Sequence, residues 1–229
     1  MLLDRVEDSE TGRVLIPEMH VDISDKIQAE AVALGEILGD ELWKSLPVVD
    51  SLEPQTRGAD QILLDINWRP ALAIIGADGM PPVQTAGNVL RTHTDLKLSF
   101  RIPPGVKAEE VQKIAKSTLE ANPPYGAEVT YYATEPADGF HAPPLHEGVA
   151  AALDGASRYL TGFPPMATWI GGTIPFMAMI QQKFPEASFI CTGSAGPGNN
   201  AHGPDEKLHI PHSKRLNVAL AAAVAALCE

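Results

Sequence analysis

The feature that most constrains the fold is an alternating segment followed at once by a proline stop and an amphipathic helix. In residues 95–102 apolar side chains occupy every second position, and polar side chains lie between them. This spacing predicts a strand with one buried and one polar face, as in an antiparallel sheet covered on one side. Pro103, Pro104 and Gly105 end the strand. The spacing over residues 107–122 then predicts an amphipathic helix that covers the sheet.

Further elements on either side extend this unit into a domain. Apolar runs predict two more strands, at residues 70–76 and 128–133, and helical spacing predicts a helix at 26–43. Together these elements predict a two-layer α+β domain over residues 1–136. Most of the chain's net charge of −12 lies before residue 60, and the bland interpretation of this acidic stretch, which includes the segment at about 18–60, is a solvated face.

The second half of the chain has a different pattern. A linker at 135–144, rich in proline and small residues, is the best candidate boundary. After it, helices are predicted at about 145–161, 175–184 and 213–228, separated by strands at about 166–171 and 187–192. Alternating helices and strands indicate α/β layering, but two strands are too few for an independent sheet. The predicted fold class is therefore α/β and α+β, with an incomplete α/β segment over residues 137–229.

Composition excludes several classes of protein. The 229 residues are 45% hydrophobic, which is enough for a packed core. An acidic chain without a basic stripe disfavours nucleic acid and anionic membranes as partners. Two cysteines, Cys191 and Cys228, exclude a disulfide framework and a four-cysteine zinc site. The acidic N-terminus is unlike a signal peptide, and the longest apolar run is too short to span a bilayer, so a cytoplasmic protein is expected.

The strongest local signal for chemistry is a polar, glycine-rich loop at residues 193–208, directly after a predicted strand. His202 lies in this loop, with Asp205 and Glu206 close behind it. Imidazole beside carboxylates suits a zinc ligand that a neighbouring acid orients. Taken alone, however, a loop histidine near acids is more often solvated than bound to metal. Cys191, in the predicted strand before the loop, is expected to be buried and inert.

Two weaker signals concern the binding of carboxylates. Gly171, Gly172 and Thr173 form a turn before a predicted helix, where backbone N–H groups could hold an anion, although a plain turn is equally consistent. Arg101 lies on the polar face of its strand. Its forked guanidinium could bind a carboxylate through two hydrogen bonds, but an ordinary surface arginine is the commoner case.

The order of these signals resembles a known family. The segment Asn88-Val89-Leu90, the strand through Arg101, Pro-Pro-Gly and the amphipathic helix resemble the lid, or dimerisation, domain of the co-catalytic zinc exopeptidases. That family includes aminoacylase, acetylornithine deacetylase, succinyl-diaminopimelate desuccinylase, glutamate carboxypeptidase and carnosinase. Downstream, the segments at 171–175 and 201–208 are similar to the family's C-terminal motifs. The acidic insertion with its ELWKSLP segment is most similar to the carnosinase-like dipeptidases.

The resemblance implies a role for each matching residue. His202 matches the last zinc ligand, and Glu206 matches an acid that supports it. The lid residues Asn88 and Arg101 match those that grip the carboxylate and the developing oxyanion of the substrate. The family's turn that contacts substrate near the metals is matched by Gly171, Gly172 and Thr173.

The resemblance also implies the activity and its limits. Family members hydrolyse the amide bond of dipeptides or N-acyl amino acids with water activated by two zinc ions, and they form homodimers through the lid. The remaining zinc ligands, the general base and the first strand of the lid belong to an N-terminal half that this sequence does not match. The chain therefore resembles a C-terminal part of such an enzyme and is expected to be inactive alone. The alternatives are a non-catalytic dimerisation or binding module, and one product of a split reading frame.

Overall fold

The computed structural model describes residues 1–46, 48–49, 51–168, 175–196 and 198–227. Within these residues the α-helices are α1 (Asp25–Leu38), α2 (Glu41–Lys44), α3 (Ala59–Trp68), α4 (Ala108–Glu120), α5 (Glu147–Thr161), α6 (Pro175–Lys183) and α7 (Ile210–Ala225). The strands are β1 (Ala71–Asp78) and β2 (Asp95–Arg101), and short 3-10 turns lie at Leu3–Arg5, Pro17–Met19 and Pro124–Gly126. No helix in these ranges is long and apolar enough to cross a membrane. The mixed helix-and-strand class is confirmed.

The two strands form an antiparallel pair. Leu72 pairs with Phe100 and Ile74 with Leu98, which places apolar side chains on one face. A bulge between Ile74 and Gly76 shifts the register over the distal part of the pair. Successive residues point to opposite faces, so the polar side chains of β2 lie on the other side of the sheet.

Helix α4 covers the apolar face of this sheet, as the sequence predicts. Its stripe of small and branched residues packs against the sheet and against the first 21 residues of the chain. The buried members of this core are Val6, Val14, Ile16, Met19, Ile102, Val106, Ala108, Val111, Ala115 and Leu119. Their burial removes a large apolar area from water, which is the main force that stabilises this half of the molecule.

Both ends of α4 are held by residues distant in sequence. At the C-terminal end the Arg5 guanidinium donates to the carbonyl oxygens of Thr118, Ala121 and Asn122, the last at 2.8 Å. At the N-terminal end the backbone N–H of Ala108 donates to Oδ1 of Asp138 at 2.9 Å. These contacts satisfy backbone groups that a helix end leaves without an internal partner.

The acidic segment packs, through α1, against a helix that the sequence analysis missed. Helix α1 forms as expected and begins at an N-cap, because Oγ of Ser24 accepts from the backbone N–H of Ile27. It packs against α3, through a small cluster of Ile27, Ala31 and Leu64. Helix α3 was not predicted; its Leu64 side chain is buried against α1, and Trp68 at its C-terminal end also lies edge-on to His141.

The second half of the chain differs from its prediction. Helices α5, α6 and α7 form near the expected positions, and α5 packs against α7. The strands predicted at 128–133 and 187–192 are wrong, since neither segment pairs with another strand. Residues 166–168 form no strand, and residues 169–171 lie outside the described part of the chain. The described residues of these segments form no regular secondary structure.

Candidate substrate-binding and metal-binding residues

Arg101 is placed by the sheet as the sequence predicts. It is the last residue of β2 and pairs with Ala71 across the ladder. Its neighbours Phe100 and Ile102 point toward α4, so alternation directs Arg101 to the opposite, polar face. The side chain is exposed, and within the described residues it forms no ion pair. Its guanidinium is therefore available to an anionic ligand.

Asn88 lies in the connection between β1 and β2. This connection is exposed over its whole length. Gly79 begins it with φ of 79°, and a Cβ at that position would lie 2.4 Å from the carbonyl oxygen of His93, so only glycine fits. In the described part of the chain no hydrogen bond joins the Asn88 side chain to Arg101. The shared role of Asn88 and Arg101 in gripping the substrate stays a prediction.

His202 lies within a loop that is closed by its own hydrogen bonds. The backbone N–H of Lys207 donates to the carbonyl oxygen of Asn199 at 2.8 Å, and that of Gly203 donates to Asn200 at 2.9 Å. The side-chain amide of Asn200 also donates to the carbonyl of Pro204. The loop therefore has a defined shape that presents an exposed His202 to solvent.

Three residues of this loop have left-handed backbone conformations. The φ angles are 54° for Asn200, 64° for His202 and 59° for Asp205. Each such residue other than glycine costs about 1–2 kcal/mol relative to the right-handed conformation, with less for asparagine and aspartate. Strained residues of this kind cluster at functional sites. The strain at His202 supports a functional role for the residue that the sequence analysis selected.

The remaining predicted residues are not brought together. Glu206 is exposed and follows the loop of His202, but no hydrogen bond joins the two side chains within the described residues. Gly171, Gly172 and Thr173 lie outside the described residues. Cys191, predicted to be buried and inert, is instead exposed, because the strand expected around it does not form.

The donor set fits a metal ion only in part. A structural or catalytic zinc ion uses three or four protein ligands. In the parts of the chain that the structure describes, no three histidine, cysteine, aspartate or glutamate side chains are grouped to hold one. His202 is a chemically suitable ligand, but the described residues do not form a complete metal site, and no reaction step is assigned through a metal here.

Asp138 is a position that the sequence analysis missed. It lies in the predicted linker, where its carboxylate accepts from Nζ of Lys107 at 2.8 Å as well as from the N–H of Ala108. The Lys107 ammonium, and next the Ala108 N–H, hold the pKa of Asp138 below its usual value. These contacts therefore attach the start of the linker to the N-terminal end of α4. No local pattern indicates this contact, because the partners are 30 residues apart.

A groove lies beside this contact, between α4 and α6. Its volume is about 720 Å³, and it is lined by residues from three segments: Lys107, Glu109, Glu110, Lys113, Glu135, Pro136, Ala137, Asp138, Ala178, Met179 and Gln182. None of the candidate residues lines it. The groove is therefore not the predicted substrate site.

Comparison with known proteins identifies what the chain is similar to. A curated relative, the cysteinylglycine-S-conjugate dipeptidase of Corynebacterium striatum, is 29% identical over 161 residues, which make up 68% of this chain and 34% of the relative. The solved structure of the dipeptidase Dug1p from Saccharomyces cerevisiae matches 98% of this chain with a TM-score of 0.69 and 21% identity. No family model matches the chain.

Two further solved structures share the fold. Human carnosine dipeptidase 1 matches 97% of the chain with a TM-score of 0.72 and 21% identity. The M20 family metallo-carboxypeptidase Sso-CP2 from Sulfolobus solfataricus matches 97% with a TM-score of 0.69 and 17% identity. The relatives of this chain are M20-family peptidases. The predicted resemblance to a C-terminal part of such enzymes is confirmed.

The chain spans only part of the length of the M20 peptidases that it matches. It covers 34% of the curated relative, 47% of Dug1p, 47% of carnosine dipeptidase 1 and 50% of Sso-CP2. These relatives hydrolyse peptide bonds, and a metal is implied by the M20 metallopeptidase neighbours. The proposed division into domains at residue 136 stays a prediction.

Proposed function

We propose that this chain is part of a zinc-dependent metallopeptidase that hydrolyses the amide bond of dipeptides or N-acyl amino acids. The observation that carries the proposal is the likeness to a dipeptidase across two thirds of the chain. The fold, which is shared with two further dipeptidases and a carboxypeptidase over almost its whole length, supports it.

In this proposal the lid residues orient the substrate. Arg101 would bind the substrate carboxylate through two parallel hydrogen bonds, because its guanidinium is exposed and unpaired among the described residues. Asn88, in the connection between the strands, would donate its side-chain amide to the carbonyl oxygen under attack. Holding the substrate in one orientation lowers the entropy cost of the reaction.

His202 would supply one ligand to the metal, and Glu206 would support it. Gly171, Gly172 and Thr173 would contact the substrate near the metal. Because the described residues do not form a complete metal site, the other ligands and the general base would come from a further segment of the protein. We therefore propose that the present chain is inactive alone.

The burial pattern supports a requirement for such a further segment. Among the described residues after 120, only Val149 and Ala223 are buried. Large apolar side chains of α5, α6 and α7 remain exposed, among them Tyr159 at 89% and Val224 at 61%. Exposed apolar surface on this scale marks a face that another polypeptide covers. The N-terminal half of the family is the segment that we propose for this role.

A homodimer formed through the lid is a separate part of the proposal. Ile74, Ile75 and Leu96 are 53%, 59% and 40% exposed at the distal end of the strand pair. A two-stranded sheet also leaves unpaired backbone groups along its edges, which favour pairing with a second copy. Sedimentation of the purified chain tests this, with Ile75→Lys expected to favour the monomer and Ile37→Lys on α1 as the matched control.

The deciding experiment measures metal content and turnover of the pure chain. We expect less than one tightly bound zinc ion per chain and no hydrolysis of Ala-Gly or N-acetylalanine. Activity should appear when the chain is co-expressed with an N-terminal half that carries the remaining ligands, and His202→Ala should abolish it. Two bound zinc ions, or zinc-dependent turnover by the chain alone, would contradict the proposed inactivity. Absence of turnover in the reconstituted protein would contradict the peptidase function.

A further inference from the structure

Arg101 has a second cation beside it on the same face of the sheet. In β2 the side chains of Leu98 and Phe100 pack toward α4, so Lys97, Ser99 and Arg101 point together to the polar face. Four residues of strand separate the Cα atoms of Lys97 and Arg101 by roughly 13 Å. Both side chains are long enough to reach toward a ligand lying between them.

Small residues on the neighbouring strand leave this face open. The register places Ala71 opposite Arg101, Ala73 opposite Ser99 and Gly76 opposite Lys97. A Cβ on Gly76 would already lie 3.4 Å from the Cβ of Lys97. The residues of β1 that pair with Lys97, Ser99 and Arg101 are therefore all small, while the larger Ile75 lies at the bulge beside Gly76 and pairs with none of them.

Neither cation has an acidic partner. Most cations of this chain that form ion pairs do so within one helix turn, as Lys116 does with Glu120. By contrast, Lys97 and Arg101 form no ion pair with any residue of the described ranges, although the chain carries a net charge of −12. Asp95 and Asp78 face each other at the distal end of the strand pair. Their negative charge limits the anion-binding stretch to the region from Lys97 to Arg101.

From this arrangement we propose that Lys97 is a specificity-determining residue that selects substrates with a second carboxylate. The inference rests on the proposed function, in which Arg101 binds the first carboxylate of a dipeptide. Lys97 then binds a carboxylate carried by the side chain of the same peptide. A dipeptide that contains glutamate or aspartate fits this description, whereas its amide analogue offers only one anionic group.

The test measures the binding of two isosteric dipeptides, Gly-Glu and Gly-Gln, to the purified chain by calorimetry and by amide chemical shifts. An exposed ion pair contributes up to about 1 kcal/mol, so Gly-Glu is expected to bind up to about fivefold more tightly than Gly-Gln. The difference should shrink as ionic strength rises, because salt screens exposed charges.

Three variants separate the inference from the function on which it rests. Lys97→Met should remove the preference for Gly-Glu and leave the affinity for Gly-Gln unchanged. Arg101→Met should weaken both peptides. Lys113→Met, which removes an exposed lysine of α4, should change neither. If Gly-Gln binds through Arg101 but Gly-Glu binds no more tightly, or if Lys97→Met weakens both peptides equally, the inference is wrong and the proposed function stands. If neither peptide depends on Arg101, the proposed substrate role and the inference both fail.

Discussion

The carboxylate of Asp138 accepts a 2.9 Å hydrogen bond from the backbone N–H of Ala108, the first residue of α4. The residue before the helix, Lys107, provides no side-chain cap of its own. Asp138, 30 positions downstream, therefore accepts a hydrogen bond from the start of the helix, as a serine or aspartate at the N-cap position usually does. The contact joins the start of the linker to the helix that covers the sheet.

Asp138→Ala should destabilise the chain by about 1 kcal/mol, the usual cost of removing an N-cap side chain. Asp138→Asn keeps an oxygen that can accept from Ala108 but loses the charge facing Lys107, so its effect should be smaller. Urea denaturation followed by circular dichroism measures both. Equal stability of the alanine variant and the parent would show that the contact contributes nothing.

Stability should fall as the pH drops below about 4. Hydrogen bonds from Lys107 and Ala108 lower the pKa of Asp138, and hydrogen bonds from Lys116 and Tyr131 lower the pKa of Glu120. A carboxyl whose pKa is lower in the folded state stabilises the fold above its unfolded value of about 4. That contribution is lost as the pH falls through the folded pKa.

The pH dependence can be assigned to Asp138 by substitution. Asp138→Asn cannot titrate, so its urea midpoint should change less between pH 5 and pH 3 than that of the parent. Asp22→Asn, at an exposed carboxyl without an ion pair in the described residues, is the matched control and should follow the parent. An unchanged slope for Asp138→Asn would contradict the assignment.

Arg5→Ala should destabilise the C-terminal end of α4. The guanidinium of Arg5 bonds to three carbonyl oxygens there, and a cation at this end also interacts favourably with the helix dipole. We expect a loss of about 1–2 kcal/mol in the free energy of unfolding. Arg5→Lys keeps the charge but lacks the two NH2 groups of the guanidinium, and it should recover part of the lost stability. Arg13→Ala, at an exposed arginine nearby in sequence, should have little effect.

Glu120→Ala should release the segment that follows α4. Oε1 of Glu120 accepts from the backbone N–H of Tyr131 at 2.7 Å, and Tyr131 packs against the core of the lid. Hydrogen exchange at the Tyr131 amide should become several-fold faster in the alanine variant. Glu120→Gln retains an accepting oxygen and should exchange at a rate close to that of the parent. Glu109→Ala, on the same helix, should leave the Tyr131 rate unchanged.

The strand pair and α4 could be predicted from the sequence because their signals are local. The alternation of Leu96, Leu98 and Phe100 determines which face of β2 is buried, and the spacing of Val111, Ala115 and Leu119 determines the buried stripe of α4. Both patterns require only the periodicity of a strand or a helix. The placement of Arg101 on the polar face follows from the same alternation and was therefore predicted correctly.

The second half could not be predicted in the same way. The segments at 128–133 and 187–192 have the composition of strands, but a strand forms only if another strand pairs with it. Tyr131 is held by the side chain of Glu120 instead, and Cys191 lies exposed in an unpaired segment. Helix α3 was missed for a related reason, since its burial depends on packing against α1.

The candidate site was predicted unevenly. His202 could be selected because a histidine beside acids in a glycine-rich loop is visible in the sequence. The sequence does not reveal the left-handed backbone of His202. It also does not reveal the hydrogen bond from Lys207 to Asn199 that closes the loop. The contact of Asp138 with Ala108 was also invisible, because long-range contacts between a linker and a helix end leave no periodic pattern.

The unequal distribution of buried side chains has a consequence for biosynthesis. Every buried residue of the core under α4 lies before residue 120, and the following segment contacts this half of the chain through Gly139, beside Pro104, and through His141, against Trp68. Once Gly139 has left the ribosome, this part of the protein has all the partners of its core and can fold during translation. The described helices after it emerge later, with Val149 and Ala223 as their buried side chains, so their packing contributes little to the folding of the first part.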